Sequence, residues 1–412
     1  MPQNDFRKRV ETIARYVNAP YTNFLDRLGL AIEFVRAEGA RIYDRDDRMY
    51  IDCVAGYGNL NLGHNHPRVI NAVIEELRSA RPYNLPFLSQ PQAHLAELLA
   101  QVTPGDLECS LFVNSGSEAV DSGLKLARLA TGRPHVIAAR GAWHGFTFGA
   151  MSISEPTLCQ NFSPLLDEVT HVPYGDAEAV LNAITERTGA IIVEPIQAES
   201  GAIVPPAGYL TALTEICARK QVVLIFDEVK TGIGKTGRIF ACEHEGAVPD
   251  VILAGKALGG GAVPIGTVTA RRKLWSKVGL SFPMSSSSGG GNAPACAAAI
   301  AVLETLADDD LCAQAARKGE RILSALADLA REFPGVVSGF SGRGLLIAVH
   351  TPNLKIANEI VRGSLKRGVL MMAAFCNRTR VLIEPPLCIE DDLVDSLIAE
   401  LCGTVEDLAK TA

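Results

Sequence analysis

Between Val222 and Thr269 two apolar runs each end in a reactive group. The first, VVLIFDE, closes on Asp227-Glu228, and the second, PDVILAGK, closes on Lys256. Continuous apolar runs of this length suit strands buried on both faces of a parallel sheet. Function in such sheets collects at the carboxyl ends of the strands. The spacing therefore predicts a buried carboxylate and a buried amine at one edge of one sheet. Desolvation disfavours an ammonium, so a Lys in apolar surroundings gives up its charge readily. A neutral Lys adds to carbonyl groups and forms Schiff bases. The competing reading is a surface lysine at a strand end, since Lys is rarely buried. The apolar run before Lys256 and the GGG turn after it count against that.

Other groups with chemistry in them surround this pair in the chain. The segment LECSLFVNSGSEAVDSGLKLAR reads as strand, tight turn and helix, with Ser115, Gly116 and Ser117 at the helix start. Backbone N–H groups and hydroxyls placed there suit a phosphate. Ser and Asn equally favour a plain N-cap, so these residues alone leave both readings open. Trp143 and His144 sit in a loop after a short strand; Trp143 is either core or a flat platform for an aromatic ring. A further strand ends in Glu194-Pro195, and Glu199 lies in the loop that follows. The stretch MSSSSGGGN at 284–292 reads either as a linker or as an anion-binding loop. His64 and His66 in GHNHP offer only two metal ligands.

The elements that must position these residues follow from pattern. At 412 residues the chain exceeds one compact core, so two domains are expected. Strands alternate with helices from about 110 to 270, which marks an α/β class. Residues 1 to about 35 read as amphipathic helix, and ARIYDRDDRMYIDCVAG as a hairpin turning at Asp46-Asp47. A long helix is expected from about Asp308 to Glu332. The last hundred residues read as strand, helix, strand (VLMMA), strand (RVLIEPP), helix, a small α+β unit. Hydrophobic residues make up 48% and charged residues 21% of the chain, as in soluble globular proteins. A net charge of −7 argues against nucleic acid as partner. The ten cysteines are scattered without metal-ligand spacing, which fits a reducing cytoplasm. No signal peptide or bilayer-spanning run is read, so no membrane partner is expected. No GxGxxG follows an early strand, which counts against a nucleotide-binding reading of GGG.

The ordered motifs, from LGHNHP to EPPL, resemble the class III aminotransferases that depend on pyridoxal 5′-phosphate (PLP), the ornithine, acetylornithine and putrescine aminotransferase group. SGSEAVDSGLKLAR, EPIQAESGAIVPPAGYL and FACEHEGAVPD are most similar to the putrescine branch. PLP enzymes need a Schiff-base lysine and an acid for the pyridine nitrogen, the pair already read at Lys256 and Asp227. The resemblance implies an α/β fold of PLP-dependent transferase fold type I, with a mostly parallel central sheet in a large domain (58–305). A small α+β domain (306–412) takes in the N-terminal segment (1–57). It implies a homodimer with shared active sites. Ser115, Gly116 and Ser117 would form the phosphate turn, with Trp143 stacked on the ring and Val229 on its other face. His144, Glu194 and Lys230 would join Asp227 and Lys256 around the cofactor. Ser288 would cross to the neighbouring subunit's phosphate. Glu199, Tyr21 and Tyr57 would face the substrate. The activity implied is ping-pong transfer of an amino group from a primary amine or amino acid to a keto acid or aldehyde.

The chain departs from the family's pattern at three places. DEVKTG stands for DEVQTG, so Lys230 replaces a Gln expected near the PLP phenolic oxygen; a cation there favours the phenolate. Lys at this place occurs also in racemase-like branches such as aminocaprolactam racemase, so an amino-acid racemase or epimerase on the same scaffold is the alternative reading. Ser288 and Gly289 replace Thr and Phe, which loosens the loop. Leu382 in RVLIEPPL replaces the Arg that binds the substrate carboxylate, and Leu makes no bidentate pair. Arg380 shares its strand face, but about 6 to 7 Å further along. Glu199, the usual partner of that Arg, is then expected to be free for a substrate amino group.

Overall fold

The computed structural model describes residues 3–79, 81–82, 89–279, 281, 284 and 287–411. Its centre is a seven-stranded sheet of Leu107–Val113 (β1), His135–Ala139 (β2), Val169–Val172 (β3), Thr188–Val193 (β4), Val223–Asp227 (β5), Val251–Ala254 (β6) and Gly266–Arg271 (β7). Their order in space is β1-β7-β6-β5-β4-β2-β3. From β6 through β5, β4 and β2 to β3 the pairing is parallel. Only β7 runs against its neighbours, β1 and β6.

The apolar runs are continuous because both faces of this sheet are covered. Alternate residues face opposite sides. Leu224, Phe226 and Ile252 join a core with the helices Gln90–Val102, Tyr209–Lys220 and Ala293–Asp308. Val223, Ile225, Val251 and Leu253 join another, packed on the helix Gly116–Thr131 through Ala119, Val120, Leu124 and Ala127. Every residue of β4, β5 and β6 is buried. Burying side chains of this size stabilises by roughly 1.5–3 kcal/mol each, which holds the carboxyl ends of β5 and β6 in place.

Two smaller sheets flank it. One pairs Phe34–Glu38, Arg41–Asp44 and Met49–Asp52 in sequence and adds Val369–Leu370 in parallel beside Met49–Asp52. The other has the order Gly339–Arg343, Leu346–His350, Arg380–Ile383, Met372–Ala373. The expected strand VLMMA is thus divided between two sheets, with buried Met371 between the halves. The N-terminal helix is shorter than expected and bent. Helical segments Gln3–Ile13 and Ala19–Leu28 flank a wider turn at Ala14–Asn18. Gly29, at φ 73°, ends the second segment, because a left-handed C-cap costs a glycine least. The strand Phe34–Glu38 follows. The hairpin turns where expected, with Asp44 Oδ1 accepting the N–H groups of Asp46 and Arg48. The long helix starts at Leu311, after Asp310 at φ 47°, so Ala293–Asp308 remains a separate helix.

Candidate active site

Asp227 is the last residue of β5 and lies opposite Leu253 of β6. Gly255 and Lys256 follow β6, so acid and amine emerge side by side from neighbouring parallel strands. Lys256 has φ 44°, a left-handed conformation that an L-residue keeps only where its surroundings impose it. Burial lowers the Lys256 pKa, and the nearby charge of Lys230 lowers it further. Asp227 is buried, and its carboxylate is held on both oxygens. Oδ1 accepts the Val229 N–H at 3.0 Å, and Oδ2 lies 2.7 Å from His144 Nδ1. His144 donates its backbone N–H to Ser154 Oγ, yet its buried Nε2 has no hydrogen-bond partner. Glu194 accepts the N–H groups of Trp143 and Ala198, which ties two loops together. Burial pushes its pKa up to about 7.

At the other end of the cavity stands the helix Gly116–Thr131. Its first N–H groups have no intrahelical acceptor, and Ser115 Oγ caps only that of Glu118. Ser117 Oγ accepts the Phe146 N–H at 3.0 Å. A Cβ on Gly116 would lie 2.6 Å from Val229 Cγ1, and one on Gly145 2.1 Å from Ser117 Oγ. Both positions are glycine because two loops close on each other there. Trp143 meets Phe146 and Phe375 edge-on, at 5.0 and 4.6 Å between ring centroids.

Lys230 corrects one expectation. Glu199 is not free: Lys230 Nζ donates to Glu199 Oε1 at 2.5 Å and lies 3.0 Å from Glu384 Oε1. Glu199 Oε2 accepts the Phe375 N–H. Burial alone would lower the Lys230 pKa, but Glu384 and Glu199 together raise it above its ordinary value. Burial likewise opposes ionisation of Glu199, and Lys230 with Lys256 overcomes it, leaving its pKa low. Leu382 packs in an apolar cluster with Ile196, Ala198, Leu346 and Ala348. The stem of Arg380 lies against Gly201, outside the cavity lining.

Gly116, Ser117, Trp143, His144, Glu194, Glu199, Asp227, Val229, Lys230 and Lys256 line one cavity, with Gly145 and Phe146. Ser115 stands beside it as the helix cap. Tyr21 and Tyr57 are not part of this lining; both are exposed with their hydroxyls 3.2 Å apart, and Tyr57 lies within electrostatic reach of Glu199 and Lys230. Ser288 lies outside this lining, and its carbonyl accepts from Asn114 Nδ2 at 3.0 Å. Ser285 and Ser286 of the same loop lie outside the described residues. Sequence reasoning missed Glu384, Phe146, Phe375 and Gly58 as neighbours of the site. The signal for Glu384 was its place at the end of an apolar strand, where a buried carboxylate demands a cation.

These groups fit PLP. A helix start with free N–H groups suits its phosphate, buried Asp227 its ring nitrogen, and the Lys256 amine its aldehyde. The partnerless His144 Nε2 lies in the same lining and shows a polar site awaiting a polar ligand. Residues 26–405 match the family model described as aminotransferase class-III, and the chain belongs to that family. Its fold matches ornithine aminotransferase from Toxoplasma gondii ME49 at a TM-score of 0.87 and 31% identity, over 93% of this chain and 92% of that one. Ornithine δ-aminotransferase from Plasmodium falciparum matches at 0.82 and 28%, over 96% and 99%. An amine transaminase from an uncultivated Pseudomonas species, solved in its PLP-bound form, matches at 0.82 and 27%, over 91% and 95%. The molecule is a PLP-dependent aminotransferase of fold type I acting on amines or amino acids.

Proposed function

We propose that Lys256 is the lysine that joins PLP and the group that moves the substrate proton. The carrying observation is its place beside Asp227 at adjacent strand ends, with burial and Lys230 both favouring its neutral form. PLP, when bound, supplies the electron sink for the pair released from the substrate's Cα–H bond. Asp227 keeps the pyridine nitrogen protonated, and His144 and the Val229 N–H hold that carboxylate in one orientation. Gly116, Ser117 and the helix N–H groups hold the phosphate, while Ser115 shapes the turn. Trp143 and Val229 would confine the ring, Lys230 would stand on the side of its phenolic oxygen, and Glu194 fixes the Trp143 loop. Lys256 would take the proton from the substrate Cα and carry it to the cofactor's C4′. Glu199, Tyr21 and Tyr57 form the substrate end.

The assembly in this reading is a homodimer with shared active sites, in which Ser288 serves the partner's phosphate site. It works in the cytoplasm, by ping-pong transfer from an amine or amino acid to a keto acid or aldehyde. Residues 1–57 join 306–412 as a small domain beside 58–305; the strand pairing of Met49–Asp52 with Val369–Leu370 supports this. No helix among the described residues is long and apolar enough to cross a membrane, and the ten cysteines are free thiols. Mixing the holoenzyme with amines and following its visible absorbance tests the lysine assignment. Wild type should lose the visible band as the amino group passes to the cofactor, and Lys256→Ala should not turn over. Full turnover by that variant would sink the assignment. Loss of Cα configuration with no carbonyl product would mark the racemase alternative.

A further inference from the structure

The residues of GHNHP lie outside the lining of the active-site cavity, yet they support a segment that touches both of its lysines. Ala55, Gly56, Tyr57 and Gly58 follow one another at φ 46°, 59°, 59° and 85°. Left-handed backbone is ordinary for glycine and costly for Ala55 and Tyr57. The turn they form is closed by the Tyr57 N–H, which donates to the Val54 carbonyl at 2.9 Å, and by the Leu60 N–H, which donates to that of Ala55 at 3.0 Å. Its far end meets the two lysine stems. A Cβ on Gly58 would lie 3.5 Å from Lys230 Cγ and 3.9 Å from Lys256 Cδ. Lys256 is itself at φ 44°, so two strained segments meet there. Strain of this kind persists only where the surroundings impose it.

Asp52 supplies the constraint. Its carboxylate is buried. Oδ1 accepts the N–H groups of Val54 at 2.9 Å and Ala55 at 3.0 Å, where the turn begins. Oδ2 lies 2.8 Å from His64 Nε2. His64 is anchored through its main chain: its N–H donates to the Gly39 carbonyl at 2.8 Å, and its carbonyl accepts the Gly39 N–H at 3.2 Å. Gly63 is glycine because a Cβ there would lie 2.7 Å from the Gly39 Cα. Away from the lysines, Val54 and Gly56 face an open cavity of about 590 Å3 that Asp52 and His64 also line. On that side the described residues hold the turn by hydrogen bonds rather than by packing.

We propose that Asp52 and His64 are positioning residues for amino transfer, which hold the left-handed turn Ala55–Gly58 against the stems of Lys256 and Lys230. This rests on the assignment of Lys256 as the lysine that joins PLP. Without the pair, Ala55 and Tyr57 relax to negative φ and the turn gives way toward the open cavity. Lys256 then loses the surface its stem rests on. Reaction at its amine depends on that placement, since small displacements of a reacting group change rates steeply. The outer partner matters as much as the inner one, because a buried carboxylate keeps its orientation only while its own hydrogen bonds are met.

Hydroxylamine added to the holoenzyme tests this without turnover. It displaces the lysine from PLP as the oxime and frees the lysine amine, and loss of the visible band times the exchange. His64→Ala should speed that exchange about tenfold, because the lysine stem is no longer backed. His64→Gln keeps an N–H donor at similar reach and should restore the wild-type rate. A purely structural role would lower the melting temperature of His64→Ala and leave its exchange rate alone. Asp52→Asn keeps an oxygen for the Val54 and Ala55 N–H groups but loses the charge that His64 meets; it should also exchange faster, and serves if His64→Ala fails to fold. Borohydride reduction followed by peptide mapping keeps the two claims apart. PLP found on another lysine removes the lysine assignment and the proposal with it. PLP found on Lys256, with exchange no faster in His64→Ala and Asp52→Asn or not restored by His64→Gln, overturns the positioning role alone.

Discussion

Beside Asp227 the buried carboxylate of Glu194 is held by backbone N–H groups, whereas around Lys230 two carboxylates share one ammonium. The first arrangement leaves Glu194 with a pKa pushed up to about 7, because backbone N–H groups do not offset burial fully. The second keeps Glu199 ionised and Lys230 charged. Five residues on, Lys235 makes the contrast sharper. It is fully buried, and its ammonium donates to the carbonyls of Glu384 and Pro385. Burial pulls its pKa down to about 8. A buried charge here is retained where a carboxylate pairs with it directly, and yields where its hydrogen bonds go to carbonyl dipoles.

The strongest way to break this comparison is to remove the amine that stands between the two ends. Lys256→Ala should lower kcat by about a thousandfold or more, measured with any active amine, while leaving the melting temperature near that of wild type. Lys230→Met leaves Glu199 and Glu384 buried without their cation. Losing one member of a buried pair costs about 3–5 kcal/mol, read by denaturant unfolding, and adding Glu384→Gln should recover part of it. If Lys230→Met unfolds like wild type, Glu199, Lys230 and Glu384 are not an ion cluster.

Lys235 predicts a pH effect of opposite origin. Its folded pKa of about 8 lies below the ordinary 10.5, so the fold favours the neutral amine. The penalty is complete below pH 8 and disappears as the pH rises toward 10.5. Stability should therefore climb over that window by about 3 kcal/mol. Lys235→Met should flatten the climb in thermal melts taken across those pH values. A smaller effect belongs to the glycine that opens the helix Gly116–Thr131. Gly116→Ala forces Val229 aside and should cost about 1–3 kcal/mol in stability, together with weaker PLP retention on dialysis.

Much of this site was legible in the chain because strong local patterns carry it. Asp227 and Lys256 close apolar runs, and those runs are continuous because helices cover both faces of β5 and β6. The turn Ser115–Ser117 announced itself by small residues between a strand and a helix. The Lys230 cluster was legible only as a departure: its partners Glu199 and Glu384 lie 31 and 154 positions away, and pairing over such separations has no periodic signature. The division of VLMMA was hidden for a similar reason. Apolar residues suit either sheet, and which sheet takes them depends on Met49–Asp52 and Arg380–Ile383. The N-terminal helix was overextended because amphipathic spacing ran past Gly29 into a strand.

The backbone contact between Gly255 and Gly116 bears on how this enzyme can be altered. A Cβ on Gly255 would lie 3.3 Å from the Gly116 Cα, so the chain leading into Lys256 rests directly on the turn at the helix start. Main chain on main chain leaves no compliant part between them. The span from Lys256 to the helix start at Gly116 is thus set like the gap of a gauge. A catalyst re-engineered for a longer or shorter cofactor would have to change the side chain at 256, since the loop itself has no room to slide.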